Sequence, residues 1–152
     1  MKKIIIALDY NPSAEKVAEK GYEIAKAMQA EITLVHVITE PAFYAMQYSP
    51  IMGYTGSYTE GTVEVVDDIN NKGKDFLIAS VKHLGDDSIK TKLLSGDDVD
   101  ESVLKYCEKQ QADVLIIGSH SHKGLAGIFD TDVSSDLIKH TKIPLLIIPT
   151  GE

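Results

Sequence analysis

The chain has 152 residues, enough for one domain with a substantial core, and its composition is ordinary for a water-soluble globular protein. A formal net charge of −8 argues against binding nucleic acid or anionic membrane surfaces, both of which demand clustered Lys and Arg. Cys107 is the sole cysteine, which excludes an intrachain disulfide and a cysteine metal cluster. The opening Met1-Lys2-Lys3 and the apolar residues after it superficially match a signal peptide. That run ends at Asp9, however, and no segment is long enough to span a bilayer. A cytoplasmic location is expected.

Lys3 to Leu8 is a fully apolar strand, which belongs in the middle of a sheet covered on both faces. Asp9-Tyr10-Asn11-Pro12 turns the chain, with Asn11 suited to cap a helix and Pro12 to be its first residue. The helix places Ala14, Val17, Ala18, Gly21, Ala25 and Met28 on one face, and these mostly small residues let it sit close to a sheet. Ile32 to Val37 is the second strand.

Thr39 to Gly61 breaks this rhythm. Between Pro41 and Thr59 there is no charged residue, yet Phe43, Tyr44, Tyr48, Tyr54, Tyr58, Met46 and Met52 are present. Glycines and Pro50 oppose long regular structure, and a loop of this length is uncommon. Two roles fit equally: a lid or partner-binding patch, and a flap packed on its own small core.

Helical periodicity returns from Thr62 to Leu84, with Val66, Ile69, Phe76, Leu77 and Leu84 apolar. Ile89 to Leu93 alternates instead, as a sheet-edge strand does, with Lys90 and Lys92 on its wetter face. Gly96-Asp97-Asp98 leads into a helix through Val99, Val103, Leu104 and Cys107 to about Gln110. Cys107 falls on the apolar face and reads as core rather than nucleophile. Asp97, Asp98, Asp100 and Glu101 suit the positive end of that helix.

Asp113 to Ile117 is another buried parallel strand, closed by Gly118. The loop beyond it carries His120, His122, Gly124 and Gly127, followed by a helix from about Asp132 to His140 and a last strand from Ile143 to Pro149. Strands linked by helices, with right-handed crossovers, make an open, doubly wound parallel α/β sheet of five strands with helices on both faces. The order 3-2-1-4-5 puts the most apolar strand centrally and the alternating strand at an edge. It also puts a topological switch between strands 1 and 4, in a crevice lined by Asp9 to Asn11 and Gly118 to His122. No repeat or linker divides residues 1–152, so a single domain is expected.

Taken together, KKIIIALD at the start, EITLVHV, SGDDVDESVLKYCEKQQADVLIIGSHSHKGL and HTKIPLLIIP resemble universal stress proteins of the UspA type, over all but the aromatic loop. The resemblance implies the same sheet, a homodimer joined through the last strand (Ile143 to Pro149), and an adenine-nucleotide site. Members that bind ATP carry Gly, two residues, Gly, nine residues, Gly and Ser or Thr after strand 4. Here those positions are Gly118, Ser121, Thr131 and Asp132, so only the first glycine is kept. Gly124 and Leu125 match the consensus, and Val133-Ser134 keeps the helix start. Asp9 matches the acid at the nucleoside end and Val37 the position whose backbone meets adenine. With Ala7, Ser119 and His120 beside them, these residues are the candidate cofactor set, for ATP or AMP.

The substitutions have a physical consequence. Phosphates bind such loops through bare backbone N–H groups and the helix dipole, and side chains at Ser121 and Thr131 crowd that approach. Asp130 and Asp132 add carboxylates; a dipole contributes about 0.3–1 kcal/mol, whereas like charges about 4 Å apart cost roughly 1–4 kcal/mol. Repulsion wins, unless Lys123 or a divalent cation held by Asp130 offsets it. The expectation is a nucleoside-site-like crevice with a degraded triphosphate loop, and Asp132 as a helix cap. His36, His120 and His122 with Asp9 admit a zinc site, but structural or solvated roles are favoured. No Ser-His-Asp set, paired-acid motif or Walker lysine can be assigned. Three hypotheses follow: a non-enzymatic homodimeric stress-response protein acting on an unknown partner, an ATP- or AMP-responsive switch, and, less favoured, a nucleotide hydrolase or metal-dependent enzyme.

Overall fold

The computed structural model describes residues 1–38, 48–49, 51, 53–54, 63–119 and 133–150. Along the chain run β1 (Lys3–Ala7), α1 (Ala14–Ala27), β2 (Glu31–Ile38), β3 (Tyr48–Ser49), β4 (Gly53–Tyr54) and α2 (Val63–Leu84). They are followed by β5 (Lys90–Ser95), α3 (Val99–Gln110), β6 (Val114–Gly118), α4 (Val133–His140) and β7 (Leu145–Ile148). Five strands form one parallel sheet in the order β5-β2-β1-β6-β7, which is the expected 3-2-1-4-5 once the small β3-β4 hairpin is set aside.

The sheet explains its own sequence. Ile4 and Ile6 of β1 join Ile32 and Leu34 of β2 in one core with Val17 and Ala18 of α1 and Phe76 and Leu77 of α2. Ile5, Val35, Val37, Leu115 and Ile117 turn to the opposite face and pack with Val103 and Cys107 of α3 and Leu137 of α4. Apolar residues on both faces are what continuous runs such as Ile4-Ile5-Ile6 encode. Burial pushes the Cys107 thiol up to about 12, which suits an inert core residue. Helix α1 lies close to the sheet because Gly21 has no side chain. A β-carbon there would meet Ile6 Cδ1 at 3.0 Å and Ile116 Cγ2 at 3.4 Å. β1 and β6 are locked at their start, where Lys3 N–H donates to Asp113 Oδ2 at 2.8 Å and Asp113 N–H donates to the Lys3 carbonyl at 2.8 Å.

Two expectations are corrected, and the aromatic loop gains a detail. Helix α1 begins at Ala14 with Ser13 as its cap residue, not at Pro12 with Asn11. Asn11 instead closes a side-chain turn, its Oδ1 accepting from Ser13 N–H and Ser13 Oγ, both at 2.9 Å. Met28 is 42% exposed and leaves the buried face, because the helix ends at Ala27 and Gln29 takes a left-handed conformation to enter β2. Within the aromatic loop a hairpin pairs Tyr48 with Tyr54 and Ser49 with Gly53, and Ile51 at its turn packs against the α1/α2 core. The remainder of that loop lies outside the described residues.

Both sheet edges fall where expected. Lys90 and Lys92 of β5 are exposed, although Thr91 is too, and Leu93 and Leu94 are both half-buried, so the alternation is partial. Among the described residues β7 has β6 on one side only, and Leu145, Leu146 and Ile147 are half-buried. The carbonyls of Pro144 and Ile148 accept from Leu115 and Ser119, at 3.0 and 2.9 Å. By the alternation of a parallel ladder, the backbone groups of Leu145 and Ile147 point away from β6.

Candidate functional site

Strand register builds the crevice. Ala7 lies opposite Val35, so Asp9 and Val37, two residues further on, emerge at the same end of the sheet. Ile6 lies opposite Ile116, which brings Gly118 and Ser119 to that end on the other side of β1. The structure therefore groups Ala7, Asp9, Val37, Gly118 and Ser119 at the topological switch, where open α/β sheets bind ligands. Asp9 is half-buried, as are Ala7 and Ser119, whereas Val37 and Gly118 are buried. The backbone of Val133 and Ser134 starts α4. His120, Ser121, Gly124, Thr131 and Asp132 lie outside the described residues, and so does His122.

The floor of the crevice is braced by a residue that invites a catalytic interpretation. His36 is buried, and its Nδ1 lies 2.8 Å from the Leu8 carbonyl, so Nδ1 carries the proton and donates it. Burial lowers its pKa to about 4, only partly opposed by that hydrogen bond, so the ring is neutral at physiological pH. Phe76 meets the imidazole edge-on at 5.2 Å and Tyr10 edge-on at 5.3 Å, and Tyr10 and His36 are 6.1 Å apart. These rings fix β1, β2 and α2 to one another directly under the turn that carries Asp9. His36 is thus structural, as expected. Leu8 N–H also donates to the Val35 carbonyl at 2.8 Å, which extends the pairing of β1 to the lip of the crevice.

Ser119 holds the opposite wall. Its N–H donates to the Ile148 carbonyl at 2.9 Å and its Oγ accepts from Thr150 N–H at 3.0 Å. The loop after β6 therefore starts from a stem tied to the end of β7. Neither Tyr10 nor Thr150 is marked by spacing or motif in the sequence. Their roles depend on partners 26 or more positions away in the chain, since Tyr10 meets His36 and Thr150 meets Ser119.

A separate cleft of about 630 Å³ opens between β5 and α3, lined by Lys92, Ser95, Asp98, Lys105, Tyr106 and Lys109 among others. It contains none of the predicted site residues, and Lys105 is engaged with Glu101 at 2.6 Å. Asp98 caps α3 by accepting from Glu101 N–H at 3.1 Å, so the acids there serve the helix first, as expected.

Comparison with known proteins places this geometry. The family model described as the universal stress protein family matches residues 1–149. Universal stress protein MJ0577 of Methanocaldococcus jannaschii is 28% identical over an alignment of 153 positions covering 97% of this chain and 94% of the relative. A solved structure of MJ0577 superposes with a TM-score of 0.70, covering 99% of this chain and 97% of that one. A universal stress protein from Archaeoglobus fulgidus in complex with dAMP is 14% identical, with a TM-score of 0.61 and coverage of 97% and 98%. Another in complex with cAMP is 17% identical, with a TM-score of 0.61 and coverage of 99% and 98%. At these identities the solved structures establish the shared fold.

Proposed function

Because the chain belongs to the universal stress protein family, we propose that it acts by binding, as a cytoplasmic homodimer whose crevice takes the nucleoside end of an adenine nucleotide. The observation that carries this is the convergence of Asp9, Val37 and Gly118-Ser119 at the switch point, above a floor made rigid by His36. A carboxylate at Asp9 suits ribose hydroxyl donors, and the end of β2 at Val37 suits an adenine edge. The residues around Gly118, Ser119, His120, Ser121, Gly124, Thr131, Asp132, Val133 and Ser134 would form the phosphate side, with Ala7 packing beneath. That side is short of glycine and rich in acid, so it favours AMP-like ligands over ATP. The two structural relatives described with dAMP and cAMP hold ligands carrying a single phosphate, in line with this preference.

Binding rather than turnover is the reading supported by the one crevice histidine among the described residues. His36 is buried, committed to the Leu8 carbonyl and neutral, so it is no general base. The dimer would form through β7 and its flanks, Ile143 to Pro149. The backbone groups of Leu145 and Ile147 face outward there, and the segment has no charged residue. Two copies pairing about a two-fold axis would close that edge.

The deciding experiment is calorimetry with AMP, cAMP, ADP and ATP, each with and without Mg²⁺. Saturable binding of AMP with weaker ATP supports the proposal. Tight ATP binding overturns the phosphate preference and favours an ATP-responsive switch. Absence of any adenine-nucleotide binding removes the crevice from the function.

A further inference from the structure

On the outer seam between α1 and α2, away from the crevice, two carboxylates converge on one imidazole. Glu15 and Glu19 stand one helical turn apart on α1 and therefore share a face. His83 comes from the last turn of α2, continuing the buried stripe of Phe76, Leu77 and Ser80 to the helix rim. Its Nε2 lies 2.7 Å from Glu19 Oε1 and 3.6 Å from Glu15 Oε1, and the three donor atoms all lie within 4.8 Å of one another. We propose that Glu15, Glu19 and His83 form a binding site for a zinc-class divalent transition-metal ion, which staples α1 to α2.

Four observations favour a metal over a simple ion pair. Among the described residues His83 is the one ion-pair partner of either glutamate, and Lys20, the neighbouring cation, pairs with Glu23 at 3.1 Å instead. The two carboxylates bring two negative charges to one point, which a divalent cation cancels. A tetrahedral ion with bonds of about 2.0–2.1 Å needs donors roughly 3.3 Å apart, which lies between the shortest and longest separations present. The helices do not have to move, because α1 and α2 share one core through Val17, Ala18, Phe76 and Leu77. Side-chain rotation alone adjusts the donors.

The donor set selects the metal. One nitrogen and two oxygens suit Zn²⁺, Ni²⁺, Co²⁺ or Cu²⁺, while Mg²⁺ and Ca²⁺ prefer oxygen throughout. Three protein donors at an exposed seam leave a fourth position for water. The ion would act by mass action on stability, since it binds the packed helix pair and not the unfolded chain.

The test is titration of chelator-treated protein with ZnCl₂ and with MgCl₂, by calorimetry and thermal unfolding. The site predicts one Zn²⁺ per chain, a raised melting temperature and no such response to Mg²⁺. His83→Gln and the double variant Glu15→Gln/Glu19→Gln should each weaken Zn²⁺ by at least about tenfold, the loss that even an outer-shell partner produces. His122→Ala/His140→Ala should leave it unchanged. Imidazole NMR of the wild type reads the site directly, with His83 resonances shifting first, so the outcome does not depend on any variant folding. No saturable Zn²⁺ binding, or binding indifferent to His83→Gln, overturns the proposal. Loss of binding in His122→Ala/His140→Ala with retention in His83→Gln also overturns it.

Discussion

The Nδ1 of His36 and the carbonyl oxygen of Leu8 are 2.8 Å apart, joining the ends of two strands through a side chain where the crevice begins. Burial, and not the bond, keeps the ring neutral, since an N–H donated to a carbonyl favours the protonated form.

That burial makes the fold sensitive to acid. In the unfolded chain His36 titrates near its ordinary 6.5, whereas in the fold it resists protonation until about 4. Between those values the unfolded state binds more protons, so stability is complete above pH 6.5 and falls as pH drops toward 4. The loss approaches about 3 kcal/mol at the lower limit. Urea denaturation from pH 7 to 4 should show it. His36→Asn should flatten that pH dependence while costing about 1–3 kcal/mol at pH 7.

Asp86 has the opposite chemistry and the same direction of response. It accepts from Ser88 Oγ at 2.5 Å, Ser88 N–H at 3.0 Å, Tyr22 Oη at 3.0 Å and Lys26 Nζ at 3.2 Å. These donors, the Ser88 hydroxyl foremost, hold its carboxyl well below the usual carboxylate range. The stabilisation is present above the ordinary unfolded value of about 3.9 and is lost as pH falls toward the folded one. Asp86→Asn should lower the denaturation midpoint at pH 7, and its gap to wild type should begin to narrow only as pH falls below about 3.9.

Gly21→Val should cost about 1–3 kcal/mol by overpacking against Ile6 and Ile116. Ile6→Val in the same chain should recover part of the loss, as chemical denaturation would read.

Asp9→Asn should weaken AMP about ten- to a hundredfold, the range for a lost hydrogen bond to a charged group. The combined replacement Ser121→Gly, Thr131→Gly and Asp132→Ser should instead strengthen ATP. Calorimetry on both variants separates the nucleoside end of the crevice from the phosphate end.

Leu146→Lys or Ile147→Lys should convert a dimer into monomers or aggregates in light scattering. A wild type that scatters as a monomer at micromolar concentration contradicts pairing through β7.

Much of the fold is legible because parallel strands covered on both faces write themselves as apolar runs. Ile4-Ile5-Ile6 and Leu115-Ile116-Ile117 are unmistakable for that reason, and their lengths leave room for little else. Helix ends are less legible. Asn11 has the chemistry of a cap but spends its oxygen on Ser13 two residues away, and local hydrogen bonds of both kinds use the same residue types. Gly73 carries no turn signal, being buried in mid-helix where a β-carbon would meet Leu93 Cδ1 at 2.8 Å. Such close approaches belong to two elements at once and appear only when those elements are placed. The same holds for Tyr10 and Thr150 at the crevice, whose partners are chosen by the sheet.

The clasp between Lys3 and Asp113 spans 110 positions of chain. During synthesis β1 can pair with β2 as soon as residue 38 is free, but its other edge must wait for β6. At about 5–20 residues per second that delay is roughly 4–16 s. Through it, the most apolar strand of the protein presents a half-made sheet to its surroundings, with Ile4 to Ile6 open to any passing strand. A nascent chain of this design has reason to keep company with a holdase until its third helical crossover is made.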